Sequence, residues 1–113
     1  MNIKINKSIN PDTMFRVLDL IEGNSKITQR ELAKKTGVSL GNVNYCLKAL
    51  LLKGYIKFNN FSKNSNKLHY LYILTPKGIK QKTTLTKEFL VRKLDEYYLL
   101  KKEIERVSES FKG

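Results

Sequence analysis

Apolar residues recur at helical spacing over most of this chain, and the exceptions mark its turns. Met14, Val17, Leu18 and Ile21 share one face of a first helix. Asn10-Pro11-Asp12 starts that helix, with Asn as N-cap, Pro at the first helical position and an acid near the positive end of the helix dipole. Gly23-Asn24 closes it, and residues 1–9 read as a frayed tail. Thr28-Gln29-Arg30-Glu31 is a capping box in which hydroxyl and carboxylate each satisfy a free backbone N–H. The short helix it opens turns Leu32 and Ala33 inward and Lys34 and Lys35 outward, and Gly37 stops it. Val38 then points into the core. Ser39 caps a third helix running to about Lys53, with an inward stripe of Leu40, Val43, Leu47, Leu50 and Leu51 and a stop at Gly54.

After Gly54 the pattern changes to that of strands. Tyr55–Phe58 and Leu68–Leu74 are rich in aromatic and apolar residues, and a polar Asn/Ser/Lys loop joins them as a hairpin. Thr75-Pro76 caps a last helix carrying Ile79, Leu85, Phe89, Leu90 and Leu94. A break is expected near Lys82–Thr86, because TTLT is poor helix sequence. Beyond it, Tyr97, Leu100, Ile104, Val107 and Phe111 step by 3, 4, 3 and 4 residues, a heptad seam. The expected fold is therefore mainly α with a small β-hairpin (α+β). It divides into a tail (1–9), a helix-turn-helix body with a wing (10–78) and a C-terminal coiled-coil-like dimerisation helix (79–113).

Composition narrows the function classes. With 113 residues, 41% of them hydrophobic, the chain is one folded domain rather than a disordered tail. One Cys and one His exclude a disulfide framework and a Cys-based zinc site, and remove most catalytic arrangements, which need convergent partners. Cys46 reads as a small core residue and His69 as strand filler, so no metal and no cofactor are expected. No apolar run is long enough for a membrane span, and MNIKINKSINPD lacks the apolar segment of a signal peptide. A cytoplasmic, non-enzymatic protein without a membrane partner is expected.

The formal net charge of +12 is uneven. Residues 1–54 hold 9 basic and 4 acidic residues, residues 55–84 hold 6 basic and no acidic ones, and residues 85–113 hold 7 and 6. A basic body with a balanced tail helix suits a polyanion-binding module joined to an interaction helix.

A short capped helix, a Gly turn and a second capped helix make a helix-turn-helix, and the basic hairpin makes it winged. With Val43, Leu47 and Leu50 inward, the third helix turns Asn42, Asn44, Tyr45 and Lys48 outward. Asn can pair bidentately with adenine, Tyr can touch a thymine methyl or a phosphate, and Lys can reach guanine or phosphate. Gly41 would let the helix start approach DNA closely, and the cap residue Ser39 is a further candidate DNA contact. Thr28, Gln29 and Arg30 open the second helix, where an N-terminus and a basic side chain can hold a phosphate, although capping alone explains Thr28. The acid-free loop Asn59–Lys67 offers Lys63, Asn64 and Lys67 to the minor groove or the phosphates. The expected partner is double-stranded DNA, met by a homodimer through Leu90, Leu94, Tyr97, Leu100, Ile104, Val107 and Phe111. Two rivals stay open: a protein-interaction module using the same scaffold, and a nucleic-acid binder without sequence preference.

The segment TQRELAKKTGVSLGNVNYCLKALLLKGYIK resembles the winged helix of MarR-type bacterial repressors. The longer pattern through HYLYILTPKGIKQKTTLTKEFLVRKLDEY is similar to the small MarR-like regulators associated with extracellular polysaccharide gene clusters. The resemblance spans roughly residues 12–107, and NVNYCLKAL and YILTPKGI are its most telling parts, with Ile73 a departure inside the second. It implies a dimeric transcription regulator with base contacts at Asn42, Asn44 and Tyr45, and surface or extracellular polysaccharide genes as targets. It also implies an Arg near the wing tip, where this chain has only Lys. Full MarR proteins enclose a ligand pocket between N- and C-terminal helices. With no counterpart of the N-terminal helix here, an effector is left open.

Overall fold

The computed structural model describes residues 9–60 and 70–112. Three helices, a hairpin and a long helix follow in order: α1 (Pro11–Gly23), α2 (Gln29–Thr36), α3 (Leu40–Leu52), β1 (Ile56–Asn60), β2 (Tyr70–Leu74) and α4 (Pro76–Lys112). The expected class holds: a mostly helical winged helix-turn-helix with one antiparallel hairpin, extended by a helix.

Every helix starts on the cap its sequence offers. The Asn10 side chain accepts from the Asp12 N–H, Thr28 and Glu31 form the reciprocal box, and Ser39 accepts from the Asn42 N–H. Thr75 accepts from the Gly78 N–H at 3.0 Å and donates to the Gly54 carbonyl, so one hydroxyl joins the start of α4 to the end of α3. Lys77 adds a cation at that end, its Nζ donating to the Lys53 carbonyl at 2.9 Å. Gly37 and Gly54 both sit at φ 75°, the left-handed conformation that lets each turn reverse without strain.

The core is built mainly from the predicted stripes. Met14, Val17, Leu18 and Ile21 of α1 meet Leu32 of α2 and Val43, Cys46, Leu47 and Leu50 of α3, closed by Ile27, Ile56, Tyr72 and Leu85. β1 and β2 pair Ile56 with Leu74 and Phe58 with Tyr72. The hairpin is tied to the helices by the Tyr72 N–H, which donates to the Ser25 carbonyl at 2.9 Å.

Several expectations need correction. Leu40, assigned to the inward stripe, is 45% exposed, because the first turn of α3 overhangs the core before Val43 reaches it. Ile9, assigned to a frayed tail, packs partly buried against the core; residues 1–8 lie outside the described set. The break near Lys82–Thr86 is absent: α4 runs unbroken from Pro76 to Lys112. Thr83, Thr84 and Thr86 instead donate their hydroxyls to the Ile79, Lys80 and Lys82 carbonyls, four residues back. Packing overrides their weak propensity, since Leu85 is buried among them and Lys82 pairs with Asp19 (3.0 Å) and Glu22 (2.6 Å) of α1. Further along, Phe15 stacks on Phe89 with ring centroids 4.5 Å apart, and Arg92 and Lys93 both reach Asp12. So α4 crosses the expected boundary at 78/79 without interruption and lies on α1 as far as Lys93.

Candidate nucleic-acid interface

The helix-turn-helix is held by geometry that the capping residues set. α2 ends at Gly37, Val38 is half-buried at the turn, and α3 leaves Asn42 and Lys48 exposed with Asn44 and Tyr45 half-buried beside them. Ser39 and Gly41 are exposed at the start of α3, and a Cβ on Gly41 would meet only Ser39 Oγ, 4.0 Å away. Thr28 and Arg30 are exposed at the start of α2, and Gln29 is half-buried. The start of α2 adjoins the outer face of α3 where Gln29 meets Asn44. Lys63, Asn64 and Lys67 lie outside the described residues, as does His69.

Asn44 is not an isolated outward side chain. Its Nδ2 donates to Gln29 Oε1 at 3.1 Å, and Gln29 Nε2 donates to the Tyr72 hydroxyl at 3.4 Å. These three residues, with Leu47, Lys48, Leu51 and Phe58, line a hollow of about 260 Å³ between α3 and the hairpin. Tyr72 was absent from the candidate residues. Its place in an apolar strand gives no local sign that its hydroxyl reaches a helix 43 residues away.

Electrostatics separate two sides of the body. Its four carboxylates are Asp12, Asp19, Glu22 and Glu31. Three are held by α4 cations on the α1 side, and Glu31 is turned back on the Thr28 N–H. The hydrogen bond from Arg92 holds the Asp12 carboxyl below its ordinary range, against the opposing effect of its burial. Burial disfavours charge on Lys82, but Glu22 and Asp19 outweigh it and keep the ammonium protonated above its ordinary range. The α2–α3 side keeps Arg30, Lys34, Lys35 and Lys48 with only Glu31 among them.

Cys46 lies in the core rather than at a reactive surface. Burial pushes its thiol up to about 11, so it stays protonated and unreactive near neutrality. Among the described residues no cluster of three or more His, Cys, Asp or Glu side chains could hold a metal ion. No described helix is long and apolar enough to cross a membrane.

A capped helix pair whose second helix carries no acid, followed by a hairpin, defines a winged helix-turn-helix protein, and comparison with known proteins agrees. Residues 11–57 match the family described as winged helix-turn-helix DNA-binding. Among solved structures, the chain is similar to wild-type MarR from E. coli in its apo form: 26% identity over 83% of this chain and 75% of that one, with a TM-score of 0.57. It is also similar to a MarR/EmrR family transcriptional regulator from Acinetobacter sp. ADP1, at 21% identity over 86% and 75% of the two chains and a TM-score of 0.58. A MarR family protein of Mycobacterium tuberculosis, solved with p-aminosalicylic acid, gives 20% identity over 89% and 78%, also with a TM-score of 0.58. No curated protein sequence matches the chain.

Proposed function

We propose that the chain is a sequence-specific regulator of transcription of MarR type, a repressor that binds double-stranded DNA as a homodimer. One observation carries the reading. Every carboxylate of the body is engaged in an ion pair or a cap, while α3 offers Asn42, Asn44, Tyr45 and Lys48 on an outer face with no acid among them. Amide and ammonium groups on one helix face suit base edges in a major groove. The starts of α2 and α3, with Thr28, Gln29, Arg30, Ser39 and Gly41, suit the flanking phosphates. Lys63, Asn64 and Lys67, which lie outside the described residues, are proposed as further phosphate contacts on their sequence alone.

The homodimer is supported by α4. Leu94, Tyr97, Leu100, Ile104, Val107 and Phe111 are all exposed in the single chain, an apolar seam that water does not favour. A second copy would bury it, and closed two-fold dimers are the common solution. The two α3 helices would then meet half-sites about 34–36 Å apart. The resemblance of NVNYCLKAL and YILTPKGI to regulators of extracellular polysaccharide clusters makes such genes the first targets to test.

The test is selection of random duplex DNA on the purified protein, followed by sequencing. A palindromic consensus with half-sites about one helical turn apart is the expected result. Enrichment of no sequence, with binding that falls steeply in salt, would replace this reading with charge-driven binding. No binding at low salt would replace it with a protein-interaction module.

A further inference from the structure

The Asn44–Gln29–Tyr72 chain joins three elements that a DNA contact would load separately: the reading helix, the start of α2 and the hairpin. Its anchor is Tyr72. That residue is 9% exposed, its ring sits in the core, its N–H is bound to Ser25, and it pairs across the hairpin with Phe58. A hydroxyl on so constrained a ring has a fixed position. Gln29, the first residue of α2, takes up that position and passes it to Asn44 in the second turn of α3.

The consequence for Asn44 is chemical. A side-chain amide has one carbonyl oxygen and two N–H donors. Gln29 takes one donor, leaving the carbonyl and the other N–H, the pair an adenine edge requires. A freely rotating Asn would lose rotamer entropy on each binding event and could present either end to a base. A braced one is set before DNA arrives.

Resting on the DNA-binding reading above, we infer that Tyr72 is a specificity-determining positioning residue: without itself touching a base, its hydroxyl sets Gln29, and through it the face that Asn44 shows to DNA. Hairpin and reading helix are then coupled, so a shift of the wing alters base preference at the position Asn44 reads.

Tyr72→Phe tests this, because the ring keeps its place in the core and only the hydroxyl leaves. Preference for the selected duplex over random duplex should fall about fivefold, the scale of one modest hydrogen bond, while random-duplex affinity is unchanged. Gln29→Ala should lower the preference by the same factor, on top of an equal loss on both duplexes from the phosphate contact assigned to Gln29. In an Asn44→Ala background, Tyr72→Phe should have no further effect, because the group it positions is gone. In the DNA-free protein, the Asn44 side-chain amide signals in NMR should shift on Tyr72→Phe while the circular dichroism is retained.

Three results would overturn the inference: an unchanged preference, an equal loss on selected and random DNA, or the same loss with and without Asn44. Should the wild type prefer no duplex, it is the sequence-specific reading that fails. The NMR shift then shows separately whether the brace exists.

Discussion

Between Pro76 and Lys93, α4 is gripped by the body: Gly78 and Leu85 are buried, Phe89 stacks on Phe15, and Lys82, Arg92 and Lys93 hold carboxylates of α1. From Leu94 to Lys112 the same helix continues with its residues exposed, among them Tyr97, Leu100, Ile104 and Val107. The 37-residue helix is about 55 Å long at the usual rise, so its far half stands clear of the body along the 69 Å axis of the chain. Both halves carry apolar residues at helical spacing. What differs is the neighbour. The near half is packed on α1, whereas the far half has no neighbour among the described residues of the single chain, and most helical stability in proteins comes from packing an apolar face. One sequence pattern therefore serves intramolecular packing in one half and, on the proposed reading, a second copy in the other.

Gly78→Ala should break the near half most severely. A Cβ at that position would run into the backbone of Tyr55, whose carbonyl carbon would lie 2.8 Å away, and neither segment can move without losing the Thr75 cap. Destabilisation of about 3 kcal/mol or more is expected, read as a lowered midpoint in urea. A midpoint within experimental error of the wild type would show that the first turn of α4 is not seated against Tyr55.

The next largest contrast comes from one substitution made in each half. Leu85, 4% exposed, should cost about 2–5 kcal/mol on change to Ala, whatever the protein concentration. Leu100, 56% exposed, should on the same change leave the unfolding of the dilute single chain nearly unaltered. Its effect should appear in the concentration at which two chains associate. Equal losses at both positions in the dilute protein would mean that the far half folds back on its own body.

Much of this contrast was legible in advance. The caps at Asn10, Thr28, Ser39 and Thr75 are local chemistry, and so are the glycine turns at 37 and 54; each stands as its sequence implies. What could not be read depends on contacts between distant residues. TTLT looks like a break until Leu85 is seen in the core and Lys82 is seen between Asp19 and Glu22, 60 or more residues away. Leu40 fits the apolar stripe by spacing, but the stripe starts before the core does. At the site, the outward face of α3 followed from its inward one, yet the Gln29 and Tyr72 partners of Asn44 had no local signature. Gly78 likewise looks like an ordinary residue of a capped first turn until Tyr55 lies against it.

The smallest effect should be pH-dependent. The carboxyl of Asp12 is held below its ordinary value mainly by Arg92, so the folded state binds its proton less readily than the unfolded chain does. Its contribution is then fully present above about pH 5, beyond the unfolded value, and is lost as pH falls through the folded one. Asp12→Asn should flatten the stability profile across that acidic window, with a loss at neutral pH of about 1 kcal/mol or less, because the pair is partly exposed. An unchanged acid limb in the variant would show that the pair to Arg92 contributes nothing to holding α4 on α1.

The claim on which the two halves turn is that the far one receives a second copy. Light scattering on Ile104→Asp beside the wild type tests it most directly, because a carboxylate buried in that seam would cost several kcal/mol. The wild type should show twice the 13.1 kDa chain mass and the variant the single mass, with the circular dichroism of the winged helix kept. A variant that remains at twice the chain mass, or a wild type that is monomeric at the same concentration, would contradict the account.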